Sequence, residues 1–185
     1  MKKIILDLCG GTGAWSKPYK DAGYDVRVIT LPHYDIRAYT PPDKVYGVMA
    51  APPCTHFSVS GAQYWKAKDS DGRTFEDVSI LTACLMVIAK TKPIFWAVEN
   101  PVGRMKKLLG TPELMFNPCD YGDPYTKKTC LWGQFNKPVR NPVTPIRSTK
   151  QGSWIQKLGG KSEKTKELRS MTPPGFALAF FKANQ

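Results

Sequence analysis

Four short apolar runs, parted by helical stretches and by glycine and proline breaks, constrain this chain more than any other feature. Residues 3–8, 25–31, 45–50 and 94–98 are rich in Val, Ile, Leu and aromatic side chains and have strand length. The glycine-rich turn 7–13 follows the first run, and a helix is predicted over 15–22, closed by Gly23. Thr40-Pro41-Pro42-Asp43 breaks the chain before the third run. Residues 75–90 place Val78, Leu81, Leu85 and Ile88 on one side of a predicted helix, and Pro93 separates it from the fourth run. Parallel neighbours need long crossovers, and crossover helices cover the sheet. The rhythm therefore predicts an α/β fold, a mostly parallel sheet with helices on both faces.

Beyond residue 104 the pattern weakens. A short helix is expected over 105–109, a strand over 129–132, and a loop or edge over 136–150, which carries Pro138, Pro142 and Pro145. An apolar helix with proline at its start is expected over 173–184. With 185 residues, 42% of them hydrophobic, and no repeat or clear linker, one domain with a real core is expected. Within it, residues 1–104 form the core and 105–185 a basic, aromatic part. No apolar run approaches the roughly 20 residues of a membrane span. The run after Met1-Lys2-Lys3 meets Asp7 too soon for a secretory leader, so a cytoplasmic protein is expected. Cys9, Cys54, Cys84, Cys119 and Cys130 are odd in number and form no Cys-x-x-Cys pair, which argues against a disulfide framework or a zinc site. Cys84 reads as a core residue, and with only His33 and His56 no metal is expected.

The net charge is +12, and the excess lies mostly in the second half: Lys106, Lys107, Lys127, Lys128, Lys137, Arg140, Arg147, Lys150, Lys157, Lys161, Lys164, Lys166 and Arg169. Tyr121, Tyr125, Trp132, Phe135 and Trp154 interleave with these cations. A polyanionic partner suits this pattern better than a neutral small molecule, the alternative being a solvated basic face.

Two strand exits carry the chemistry. Cys54 follows the third strand in Pro53-Cys54-Thr55-His56-Phe57-Ser58, and Glu99 follows the fourth in Glu99-Asn100-Pro101-Val102. Open α/β sheets build their sites at such carboxyl ends. A thiol beside a buried acid suits covalent attack on an electron-poor ring with proton transfer to it. The bland alternatives are a small buried cysteine and, at 9–13, a mere tight turn. Residues 58–74, polar and aromatic, read as an active-site loop.

These motifs, in this order, resemble the DNA (cytosine-5)-methyltransferases, in particular small phage-type cytosine methylases. Asp7-Leu8-Cys9-Gly10-Gly11-Thr12-Gly13 resembles the family's first motif, which binds S-adenosylmethionine, and Tyr34-Asp35-Ile36-Arg37 the motif whose Asp contacts the cofactor adenine. Pro53-Cys54 matches the nucleophile motif and Glu99-Asn100 the acid motif. The resemblance covers about the first hundred residues. It implies a Rossmann-like methyltransferase fold, with Cys54 as nucleophile and Glu99 as acid. Asp7, Cys9, Gly11, Gly13, Asp35 and Pro52 would lie at the cofactor, and Ser58, Gln63, Asn100, Lys127 and Lys128 at the substrate, DNA. The sequence departs from the family at Cys9, where Phe is usual, and at Thr30-Leu31, where an acid is usual. Tyr125-Thr126-Lys127-Lys128-Thr129 is a loose counterpart of the family's Gln-x-Arg-x-Arg, and Arg169-Ser170-Met171-Thr172-Pro173 faintly resembles a late motif. Too little chain follows Glu99 for a large target-recognition domain. A free cytosine nucleotide such as dCMP is thus an alternative substrate, and a catalytically degenerate nucleic-acid-binding module an alternative reading.

Overall fold

The computed structural model describes residues 2–146, 153–158 and 162–185. Among them, strand β1 (Ile4–Leu8) runs through a glycine turn to helix α1 (Lys17–Asp21) and strand β2 (Asp25–Ile29). Strand β3 (Gly47–Ala50) is followed by a 3-10 helix (Val59–Tyr64), α2 (Trp65–Ser70) and the long α3 (Arg73–Thr91). Strand β4 (Phe95–Pro101), α4 (Lys106–Leu109), β5 (Leu114–Phe116) and β6 (Thr129–Gln134) come next, then α5 (Trp154–Lys157), α6 (Glu163–Ser170) and α7 (Pro174–Ala183).

The six strands form one sheet in the order β2-β1-β3-β4-β6-β5. The first four are parallel, while β6 is antiparallel to both β4 and β5. Leu8 pairs with Ala50, and Ala50 with Val98, so β1, β3 and β4 reach the same edge in register.

Alternate residues of the strands serve two cores, as strand geometry requires. Leu6, Leu8, Val48, Ala50, Val98 and Trp132 pack with Leu81, Cys84, Val87 and Ile88 of α3. Ile5, Met49, Phe95, Ala97 and Leu131 pack instead with Trp15, Tyr19, Phe176 and Phe180, beneath α1 and α7. The second core is aromatic: Phe176 stacks on Phe116 at 4.0 Å between centroids and meets Tyr121 edge-on. Cys84 is fully buried, as expected. Helix α3 ends at Lys92, left-handed with φ 44°, whose N–H returns to Ile88 O, and Pro93 bars continuation.

Several expectations need correction. Residues 58–74 are not a loop: the 3-10 helix, α2 and the start of α3 occupy them. Strand β5 and helix α6 lie where no element was expected. Tyr121 and Trp132, interleaved with cations in the sequence, are buried. Tyr121 packs on Phe116 and Phe176, and the Trp132 indole donates to Gly110 O at 2.9 Å. Trp154 is exposed and meets the half-buried Tyr125 at 5.4 Å. Of the basic positions, Arg147, Lys150 and Lys161 lie outside the described residues, as does the side chain of Lys157. No helix among the described residues is long and apolar enough to cross a membrane.

Candidate active site

Chain order reverses beside β1: β2 lies on one side of it and β3 on the other. A crevice opens at the carboxyl ends of strands at such a reversal. The turn after β1 and the turn after β3 both empty there, and the exit of β4 lies next to them.

The β1 turn is shaped by its backbone. Cys9, Gly11 and Gly13 have φ of 57°, 54° and 71°, and Cys9 N–H donates to Ile29 O at 2.7 Å. Asp7 lies fully buried beneath this turn, accepting the Ser16 hydroxyl at 2.6 Å. A Cβ on Gly10 would sit 2.3 Å from the Asp7 carboxyl, so only glycine lets the turn close over that acid. Burial pushes Asp7 up to about 6 against the Ser16 hydrogen bond, and its Oδ1 has no hydrogen-bond partner among the described residues. Asp7 thus buttresses the turn from below. Cys9 Sγ lies 4.0 Å from Cys84 Sγ of α3 and within electrostatic reach of Asp35. Asp35 opens a short 3-10 turn and is gripped by Arg37 at 2.6–3.1 Å, which holds its carboxyl down to about 2. Arg37 also meets Glu76 of α3. At the β2 exit Thr30 is half-buried and Leu31 exposed, so no carboxylate stands there.

The β3 exit is tied on both sides. Ala51 N–H donates to Leu8 O at 2.9 Å, and the Asn100 amide donates to Pro52 O at 3.0 Å. Cys54 begins a tight turn: its carbonyl accepts from Phe57 N–H at 3.1 Å and Ser58 N–H at 2.9 Å. Ser58 then caps the following 3-10 helix and forms an antiparallel bridge with Gly103. A Cβ on Gly103 would lie 1.9 Å from Phe57 O, so the two segments meet only because residue 103 has no side chain. Cys54 is open to solvent, but enough protein surrounds its sulfur that desolvation pushes the thiol up; Glu99 adds to the rise and Lys127 opposes it.

Glu99 lies one residue past Val98 on β4, opposite Leu131 of β6. It is half-buried, burial raises its carboxyl pKa, Lys127 pulls the other way, and its side-chain carboxyl accepts no hydrogen bond from the described residues. Lys127 is held by Arg169 O at 2.7 Å. Glu99 and Lys127 thus both act on the Cys54 thiol, and Lys127 on the Glu99 carboxyl, across neighbouring strand exits.

The predicted site residues divide accordingly. Pro52 and Asn100 lock the two exits together, and Asn100 keeps a buried Oδ1 without a hydrogen bond among the described residues. Ser58 belongs to the nucleophile turn, whereas Gln63 is exposed on the 3-10 helix. Lys128 is exposed and acts on Cys130, so it parts company with Lys127. Sequence reasoning gave no role to four further residues. His56 meets buried Asp77 through both its N–H, at 3.2 Å, and Nδ1, at 2.6 Å. Lys68 donates to Thr55 O at 2.8 Å, and Arg104 to His56 O at 2.7 Å. The available signal was an acid on the buried side of α3 and a histidine two places beyond the cysteine. A cavity of about 240 Å³, lined in part by Tyr46, Phe95, Gln134 and Asn184, lies at the opposite strand ends and has no part in this chemistry.

No protein-family model matches the sequence, and no curated protein matches it. Among solved structures, a DNA modification methyltransferase encoded within an E. coli prophage is similar in fold. The TM-score is 0.51 at 16% identity, over 88% of this chain and 56% of that one. A triple mutant of Spodoptera frugiperda DNMT2 aligns with a TM-score of 0.43 at 16% identity, over 87% of this chain and 60% of that one. This chain thus spans little more than half the length of the prophage enzyme. The fold is the α/β, Rossmann-like fold of methyltransferases.

Proposed function

We propose that this chain, acting as one domain, methylates carbon 5 of cytosine in DNA through a covalent adduct with Cys54, using S-adenosylmethionine. The observation that carries this reading is the placement of Cys54 and Glu99 at the neighbouring exits of the paired strands β3 and β4, which the Asn100–Pro52 hydrogen bond ties together. The fold likeness to a prophage DNA modification methyltransferase supports it.

The β1 turn suits the cofactor. Its left-handed residues leave backbone at Gly11 and Thr12 exposed at the switch point, and Asp35 stands at the same rim. Gly11, Gly13, Cys9 and Asp35 would hold it, with Asp7 supporting the turn. When bound, S-adenosylmethionine supplies an electrophilic methyl carbon on a sulfonium.

The side chains account for the rest. The Cys54 thiolate adds to carbon 6 of cytosine, breaking the 5,6 double bond and leaving carbon 5 electron-rich. Glu99 delivers a proton to ring nitrogen 3, offsetting the charge that the addition creates. Its raised pKa favours the protonated form that this step needs. Protonation of Glu99 also removes the repulsion that raises Cys54, so arming the acid helps form the thiolate. Once carbon 5 carries the methyl group that the cofactor would supply, loss of the carbon 5 proton to a base re-forms the 5,6 double bond and expels the Cys54 thiolate, and ring nitrogen 3 returns its proton to Glu99. A base in duplex DNA must leave the stack first.

Tritiated methyl transfer to duplex DNA, single-stranded DNA, RNA and dCMP tests the reading. DNA is expected to be labelled. Wild type, but not Cys54→Ala, should form a stable adduct with DNA containing 5-fluorocytosine, whose fluorine blocks the final elimination. Labelling of dCMP alone would move the assignment to a free-nucleotide enzyme. No labelling and no adduct would leave a binding module.

A further inference from the structure

The carbonyls that follow Cys54 are held one by one. Thr55 O accepts from Lys68 of α2, His56 O from the Arg104 guanidinium at 2.7 Å, and Phe57 O from Arg104 N–H at 2.9 Å. Arg104 is itself fixed on every side. It donates to Asp69 at 2.8 Å and to the Thr74 hydroxyl at 2.7 Å, and it lies 4.9 Å over the Trp65 ring, with its side chain only 12% exposed. One arginine, five residues past Glu99, therefore ties the acid-bearing strand exit to the nucleophile turn and to helices α2 and α3.

We propose that Arg104 is a positioning residue for the Cys54 attack, its guanidinium fixing the Cys54–Ser58 turn relative to Glu99 through the His56 carbonyl. This rests on Cys54 being the nucleophile. The physical reason is geometric. The turn is exposed at Cys54 and Thr55, and tight turns there have few contacts of their own. A covalent step needs the reacting atoms held close and aligned, and a misplacement of about 1 Å costs on the order of 100-fold. A planar guanidinium satisfies the carbonyl, the carboxylate and the hydroxyl together; a lysine ammonium lacks that fork. His56 and Asp77 hold the other side of the same turn.

The test compares wild type with Arg104→Met, Arg104→Lys and Asp69→Asn. Three quantities are measured: the rate of adduct formation with 5-fluorocytosine DNA, DNA and cofactor affinity, and amide exchange of residues 55–58. Arg104→Met keeps the stem on Trp65 and removes the donors. It should slow adduct formation about 100-fold, leave both affinities within about two-fold, and speed exchange in the turn. Arg104→Lys should recover part of the rate. Asp69→Asn, at an exposed position, should lose a smaller factor, and with Arg104→Lys it decides the matter if Arg104→Met does not fold. Adduct formation within about two-fold of wild type despite faster exchange would overturn the proposal. So would unchanged exchange in Arg104→Met, or a loss confined to DNA affinity. If wild type forms no adduct on any cytosine substrate, the nucleophile reading falls, and the exchange arm still reports whether Arg104 clamps the turn.

Discussion

Glu99 and Lys127 bias the Cys54 thiol in opposite senses, and this is measurable without catalysis. The negative charge of Glu99 is one cause of the raised thiol, so Glu99→Gln should shift the pH midpoint of Cys54 alkylation downward. Lys127→Met should shift it upward. Peptide mapping after iodoacetamide treatment separates Cys54 from the other cysteines. In turnover, Glu99→Gln should slow methyl transfer about 100-fold or more with the fold intact, since an amide cannot deliver the proton. Asp7 offers a second titration. Its folded pKa of about 6 lies above the ordinary 3.8, so the folded form binds the proton more tightly than the unfolded one. The stability linked to that proton is full below about pH 4 and is lost as pH rises through about 6, a loss on the order of 3 kcal/mol. Asp7→Asn should therefore raise the melting temperature relative to wild type at pH 8 and give no gain at pH 4. Equal shifts at both pH values would mean that packing, not charge, governs this site.

At the scale of elements, the readable parts were those whose cause is local. Strand β3 and most of β1 and β4 are apolar because both faces are buried, edge strand β2 sets its apolar residues beside Asp25 and Arg27, and α3 has an apolar side because one side is buried. Residues 58–70 read as a loop because their helices are short and polar. Lys68, the cation–ring contact of Arg104 on Trp65 and the Asp69 ion pair hold them, and these tertiary contacts leave little local signal. Helix α6 was missed for a related reason: Glu163–Ser170 has charged residues on most sides and no apolar stripe, although Ser162 caps it by accepting from Thr165 N–H. The site was legible as two strand exits. Its supporting residues were not, because a hydrogen bond between positions 56 and 104 follows from sheet order, not from spacing. Gly103 is the critical point of that contact. Gly103→Ala should cost about 1–3 kcal/mol in thermal or denaturant melts and impair adduct formation, since the added carbon must displace Phe57 O.

Over the whole molecule, the charge of +12 should govern DNA affinity. Among the described residues Lys106, Lys107, Lys128, Lys164, Lys166 and Arg169 are exposed. Binding should weaken steeply with salt, and replacing Lys128 by Met should lower the logarithmic salt slope by about 1 if it neutralises one phosphate. Lys127→Met should instead affect the Cys54 midpoint. Helix α7 closes the second core and is fastened by one asparagine. Asn184 accepts from Asn136 N–H at 2.8 Å, donates to Asn136 O at 3.0 Å and Phe180 O at 2.9 Å, and its carbonyl accepts from the Tyr19 hydroxyl, 165 positions earlier. That span has a consequence for biosynthesis. While the chain emerges from the ribosome, Trp15 has no aromatic partner until Phe176 and Phe180 have been made, and Tyr19, which meets Tyr24 and Phe95 earlier, still lacks Phe181. Part of one face of the nascent sheet therefore stays wet and adhesive until α7 emerges, a window for chaperone capture or self-association that the folded molecule no longer shows.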